Sequence, residues 1–176
     1  MVNQLINIFW TIVSFSVVGW YWGEYFSEGR SVWVLYIIVV VSVFAFNIPA
    51  KLISTLNLSS KPRTYELVGV RMMRWLVQDG LLVKKINQHF GKKNVLISNR
   101  QSARTYLSKI ALQERYHYSC FVFFALSAIS ALPVGNIRMA LLISVWNIIY
   151  NVYPILLQQY NRLRIRKLLS RLERVM

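Results

Sequence analysis

A chain of 176 residues that is 56% hydrophobic and 15% charged, with a mean hydropathy of +0.41, carries too little polar surface for an ordinary water-soluble domain. Its formal charge of +15, from 21 lysines and arginines, gathers in two stretches, so the excess is a membrane-topology signal before it is a nucleic-acid signal. The single cysteine, Cys120, excludes an internal disulfide and a CxxC-type metal site.

Residues 6–22 form an apolar run closed by Trp20, Tyr21 and Trp22 and predict a first transmembrane helix. No Lys or Arg precedes it and no small-x-small pattern follows, which argues against a cleaved signal peptide. Trp20 and Trp22 read as interfacial anchors. A polar turn at 23–30 leads to a second span at 32–48, near the lower length limit for a hydrocarbon core of roughly 30 Å.

The basic loop occupies 51–117. Between Lys51 and Arg115 lie 13 Lys and Arg against Glu66, Asp79 and Glu114, which the positive-inside rule places in the cytoplasm. Periodicity over 65–85 sets Arg71, Arg74, Gln78 and Lys85 opposite Val68, Met72, Trp75, Leu76 and Leu82, and predicts an amphipathic helix lying in the interface. Residues 87–99 read as a loop. A helix restarts near Asn99 or Ser102 and runs into a third span at 118–132. Pro133 and Gly135 make the outer turn, and a fourth span covers 137–157, where Pro154 adds a kink and frees the carbonyl of Tyr150. A basic tail, 162–176, returns to the anionic cytoplasmic leaflet. The expected fold is one all-α integral membrane domain with four transmembrane helices, an interfacial amphipathic helix in a basic cytoplasmic loop, and both termini in the cytoplasm.

Two ionisable groups fall on the apolar side of the helix that enters the third span. At about 100° per residue, Ala103, Leu107, Ile110, Glu114, His117 and Phe121 form one stripe, while Arg104, Ser108 and Arg115 point away. Glu114 and His117, three apart, share a face. An imidazole oriented by a carboxylate is the arrangement of a general base that takes a proton from a hydroxyl as it attacks an acyl donor. The plainer alternative is a helix end hydrogen-bonded to lipid or solvent. A Glu-x-x-His pair also occurs in di-iron bundles, but those need further Glu or His ligands that the spans do not supply, so no metal is expected.

In the fourth span Ser144, Asn147, Asn151 and Gln158 fall along one stripe with Tyr150 at its edge, serving as interhelical glue, substrate contacts, or both. Beyond it, Asn161, Arg162 and Arg164 could stabilise an oxyanion or grip phosphates, while Arg164 to Lys167 also suit a positive-inside anchor. Cys120 reads as a small core residue rather than an acyl-carrying nucleophile. Neither His89 nor His117 begins a His-x-x-x-x-Asp box, because Asn94 and Val122 stand at the fifth positions after them. No nucleic-acid module is visible.

Asn151-Val152 followed by Gln158, Tyr160-Asn161-Arg162 and Arg164, preceded by Glu114-x-x-His117 and an apolar span, resembles the glycosyl-diaponeurosporenoate acyltransferases. These small bacterial membrane enzymes place the fatty acyl chain on the sugar of staphyloxanthin-type carotenoids. The resemblance covers residues 104–166 and is clearest from Asn151 to Arg164. Relative to the family pattern, the proline after Asn151 stands one place later, at Pro154, and Gln159 and Leu163 replace Arg and Pro. The resemblance implies an O-acyltransferase of carotenoid biosynthesis in the bacterial inner membrane. It would use no cofactor beyond its donor, acyl-CoA or acyl carrier protein, met by Lys92, Lys93, Arg100 and Arg104. His117 would be the base, Glu114 its orienting group, and Asn147, Asn151, Gln158, Tyr160, Asn161 and Arg162 substrate contacts, with Asn161 or Arg162 stabilising the oxyanion. Implied partners are the bilayer, the donor and a glycolipid or other hydroxylated lipid, without nucleic acid. The rival class is a non-enzymatic basic module that binds anionic lipid or scaffolds a membrane complex. A lipid carrier is a third, against which four short spans without an inverted repeat speak. The geometric expectation is that Glu114 and His117 lie near Asn151, Gln158 and Arg162 at the cytoplasmic end of a cleft.

Overall fold

A computed structural model describes residues 2–53, 55–76 and 100–174, and these are helical apart from turns, with no strand among them. The helices are α1 (Val2–Ser27), α2 (Trp33–Phe46), α3 (Ala50–Ile53), α4 (Pro62–Leu67), α5 (Val70–Leu76), α6 (Arg100–Ala131), α7 (Ile137–Asn147) and α8 (Tyr153–Arg174), with a π turn over Ile148–Val152 joining the last two.

Helix α1 runs past Gly23, where the polar turn was expected to begin, because a single glycine weakens a helix by only about 1 kcal/mol. It stops at Gly29, whose left-handed backbone (φ 71°) lets its N–H reach the Phe26 carbonyl at 2.9 Å. Of the two tryptophans expected as interfacial anchors, only Trp20 projects outward; Trp22 is buried and its indole donates to Ser127 Oγ at 3.2 Å. Trp22, Val18 and Tyr21 pack with Phe124 and Ile143 into the main apolar core.

Two helical stretches, Gln4–Ser27 and Ile137–Arg171, are long and apolar enough to cross a bilayer. The other two expected spans are shorter. Helix α2 has 14 residues, about 21 Å at 1.5 Å per residue, and the apolar part of α6 begins only after its basic first half. The outward faces of α1 and α2, including Ile8, Ile12, Ile37, Val40 and Phe44, are apolar and exposed, an exterior suited to lipid.

The amphipathic helix expected over 65–85 is broken. Gly69, at φ 88°, separates α4 from α5 and shifts their phase, so Tyr65, Val70 and Met73 turn inward while Val68 and Met72 are exposed. Gln78, Leu82 and Lys85 lie outside the described residues. Tyr65 and Val70 pack on Leu157 and Tyr160 of α8. Gln159 clips this segment in place: its Oε1 accepts from the Leu58 N–H and the Tyr65 hydroxyl, and its Nε2 donates to the Leu56 carbonyl and the Tyr118 hydroxyl.

Candidate active site

The π turn sets the geometry of the site. Pro154 has no N–H to give the Tyr150 carbonyl four residues earlier, so the backbone cannot complete a regular α ladder here. The chain takes a wider turn in which the Tyr153 N–H reaches the Ile148 carbonyl. The irregularity thus precedes Pro154, and it rotates everything that follows by about one residue relative to a straight helix. Gln159, not Gln158, therefore turns towards α6, and Gln158 falls on the wall of a cleft.

Before the turn, Asn147 and Asn151 are buried against α6 and form a chain of committed hydrogen bonds. The Phe121 carbonyl can only accept, and Asn147 Nδ2 donates to it at 3.1 Å. Asn147 Oδ1 is thereby left to accept from Asn151 Nδ2 at 2.8 Å. That leaves Asn151 Oδ1 as an acceptor for His117 Nδ1, 3.4 Å away. The proton of a neutral imidazole must then sit on Nδ1, with the lone pair on Nε2. Burial pushes the imidazole down to about 4, so it is neutral at physiological pH, while Asn151 and the Tyr150 backbone carbonyl favour its protonated form.

Glu114 does not take the part of orienting carboxylate. Its Oε2 accepts from Arg162 Nη1 in a fully buried ion pair, and Arg162 Nη2 also donates to Asn57 Oδ1. Burial raises the Glu114 carboxyl to about 7 against the opposing pull of Arg162 and Arg166. The pair fastens α6 to α8 beside the apolar contact of Ala103, Ile110 and Ile165.

Three hydroxyls stand beside His117. Tyr150 OH lies 2.9 Å from Thr11 Oγ1 and 3.1 Å from Tyr116 OH, and the Tyr116 and Tyr150 rings both meet the imidazole edge-on, at 5.2 and 5.7 Å. Three hydroxyls joined by two hydrogen bonds leave one further proton, and Tyr116 also shares a hydrogen bond with the buried Cys120 thiol. Burial pushes the Tyr116 phenol up, which keeps it a donor.

These groups meet at a cleft of about 1420 Å³ that starts at Asn7, Trp10 and Thr11 and ends among cations at the far end of α8. Of the residues singled out from sequence, His117, Tyr150, Gln158, Tyr160, Asn161 and Arg164 line it. Asn147, Asn151, Glu114 and Arg162 are buried behind its wall, while Arg100 and Arg104 are exposed on α6 outside its lining. Ser144 is exposed and bonds back to the Ala140 carbonyl of its own helix. His89, Lys92 and Lys93 lie outside the described residues. Sequence reasoning missed Tyr116, Thr11 and Gln113 on the lining. Tyr116 had a signal, its place next to His117, but a stripe one residue wide excludes it.

A largely apolar protein, helical in its described residues, with two bilayer-length helices and a tautomer-fixed histidine on the wall of an amphipathic cleft is a scaffold for chemistry on lipid-like molecules. A model of the glycosyl-4,4'-diaponeurosporenoate acyltransferase family matches residues 49–171, and the chain belongs to that family, one of acyltransferases. The match contains Glu114, His117 and all of α6 to the cationic end of α8, and leaves out α1 and α2. Among curated proteins and among solved structures, nothing matches the chain.

Proposed function

We propose that the protein is a multi-pass membrane acyltransferase that moves a fatty acyl group from a phosphopantetheine thioester to a hydroxyl of a glycosylated lipid, with His117 as general base. The observation that carries this reading is the tautomer assigned by the asparagine chain, which puts the imidazole lone pair on Nε2 of a residue of the cleft wall. Nε2 takes the acceptor hydroxyl proton as that oxygen attacks the thioester carbonyl carbon. The developing imidazolium is met by Asn151 Oδ1 and the Tyr150 carbonyl. Collapse of the tetrahedral intermediate breaks the C–S bond, and the departing thiolate recovers the proton from Nε2.

The oxyanion needs a donor at this level of the cleft. Arg162 is held by Glu114 and Asn57, so the role falls to a hydroxyl proton of the Thr11, Tyr150 and Tyr116 chain. Glu114 acts by holding α6 on α8. Trp10, Phe46, Ile149 and Leu157 give the cleft an apolar side for an acyl chain, and Gln158 and Asn161 offer polar contacts for a sugar. Comparative lipid mass spectrometry of cells with and without the intact chain tests this. The expected result is an acyl-sized mass difference on a glycosylated lipid, and identical lipid profiles would overturn it.

A further inference from the structure

The end of the cleft along α8 carries cations that no carboxylate pairs with among the described residues. Arg71 on α5 and Arg164, Lys167 and Arg171 on α8 line it, all exposed. The acid on this lining, Glu66, is occupied by the Tyr160 hydroxyl at 2.8 Å. Arg164 lies over the Tyr160 ring, with its guanidinium carbon 5.5 Å from the ring centre, so its charge is held over the cleft wall rather than swept into solvent. Like charges gathered on one rim repel unless an anion joins them. From Asn151, beside His117, to Arg164 the helix rises roughly 15–20 Å at 1.5 Å per residue, comparable to an extended pantetheine arm.

We infer that this rim binds the phosphates of a free coenzyme A thioester, with the pantetheine arm running along α8 to place the thioester carbonyl at His117. This rests on the acyl-transfer reading above. Four cations drawn from two helices exceed what the single phosphodiester of a carrier-protein arm requires, and arginine forks suit phosphate oxygens. Arg100 and Arg104, which stand outside the lining, are not part of this site.

The test is coenzyme A binding to the purified protein in phosphatidylcholine nanodiscs, followed by titration calorimetry. Coenzyme A should bind and pantetheine, which has no phosphate, should not. Arg164→Gln combined with Lys167→Gln should weaken binding at least tenfold, while Arg138→Gln, at the opposite end of the bundle, should leave it unchanged. Equal affinity in the double variant and the parent protein would overturn the assignment. So would binding of acyl carrier protein but not coenzyme A, or selective retention of phosphatidylglycerol through these residues without coenzyme A binding. His117→Ala should bind coenzyme A as the parent does. Because binding is read without turnover, a protein that binds coenzyme A here yet transfers nothing would refute the acyl-transfer reading and leave this site standing.

Discussion

Glu114 on α6 and Arg162 on α8, 48 positions apart, form a buried ion pair in which Glu114 Oε1 and Arg162 Nε have no hydrogen-bond partner among the described residues. A desolvated pair satisfied on one side contributes little net stability when intact, but strands a buried charge when one partner is removed. Glu114→Ala and Arg162→Ala should each destabilise the protein by about 3–5 kcal/mol, whereas Glu114→Leu with Arg162→Met should cost far less than their sum. Unfolding in detergent micelles measures this, and additive losses would show that the two side chains do not act as a pair.

Burial sets the charge state of His117, and the Asn151 contact opposes it while fixing the tautomer. With the imidazole pushed down to about 4, it is in its basic form above that pH, so the acid limb of kcat/KM should fall near 4 rather than at the ordinary 6.5. Asn151→Asp places a carboxylate beside the ring, favours the imidazolium and should move that limb upward. Asn151→Leu removes the acceptor and should lower kcat by about ten- to hundredfold with KM unchanged. A parent profile with its acid limb at 6.5 would contradict the burial of His117.

The stripe of α6 was readable in the sequence because α6 is a regular helix. Ala103, Ile110 and Glu114 are buried and Arg104 and Ser108 exposed, as a 3.6-residue period requires, while Phe121 at the end of the stripe is exposed and Arg115, expected to point away, is half-buried. The partner of Glu114 was not readable, since spacing along one helix says nothing about which residue a second helix delivers. The neighbouring His117 satisfied the local pattern, but the fold delivered Arg162. In the fourth span the even 100° step held for Asn147 and Asn151 but not for Ser144 before them, which is exposed, nor for Gln158 beyond them. A π turn advances the face by one residue, which exchanged the roles of Gln158 and Gln159. The break at Gly69 was likewise hidden, because one left-handed residue resets the phase of an otherwise sound amphipathic pattern.

Gln159 holds residues 56–65 to the bundle through three hydrogen bonds, with a fourth to Tyr118 on α6. Gln159→Leu keeps the volume but leaves the Leu58 N–H and the Leu56 carbonyl unmatched, at about 1–3 kcal/mol for each buried group. Amide hydrogen exchange around α4 should rise well above that in α7. Unchanged exchange there would show that the apolar contacts of Tyr65 and Val70 suffice.

Tyr116→Phe removes one hydroxyl from the chain that faces His117. If that chain donates to the oxyanion, kcat should fall by about 10²-fold while KM stays put. A change confined to KM would place Tyr116 in acceptor binding instead.

The central claim is that the His117 imidazole moves the proton. Single-turnover acyl transfer by purified His117→Ala protein in nanodiscs tests it most directly, alongside a melting curve to establish that the variant is folded. A loss of about 10²–10⁴-fold in the chemical step, with melting and coenzyme A binding unchanged, is the predicted result. Transfer at the parent rate by folded His117→Ala protein would contradict it.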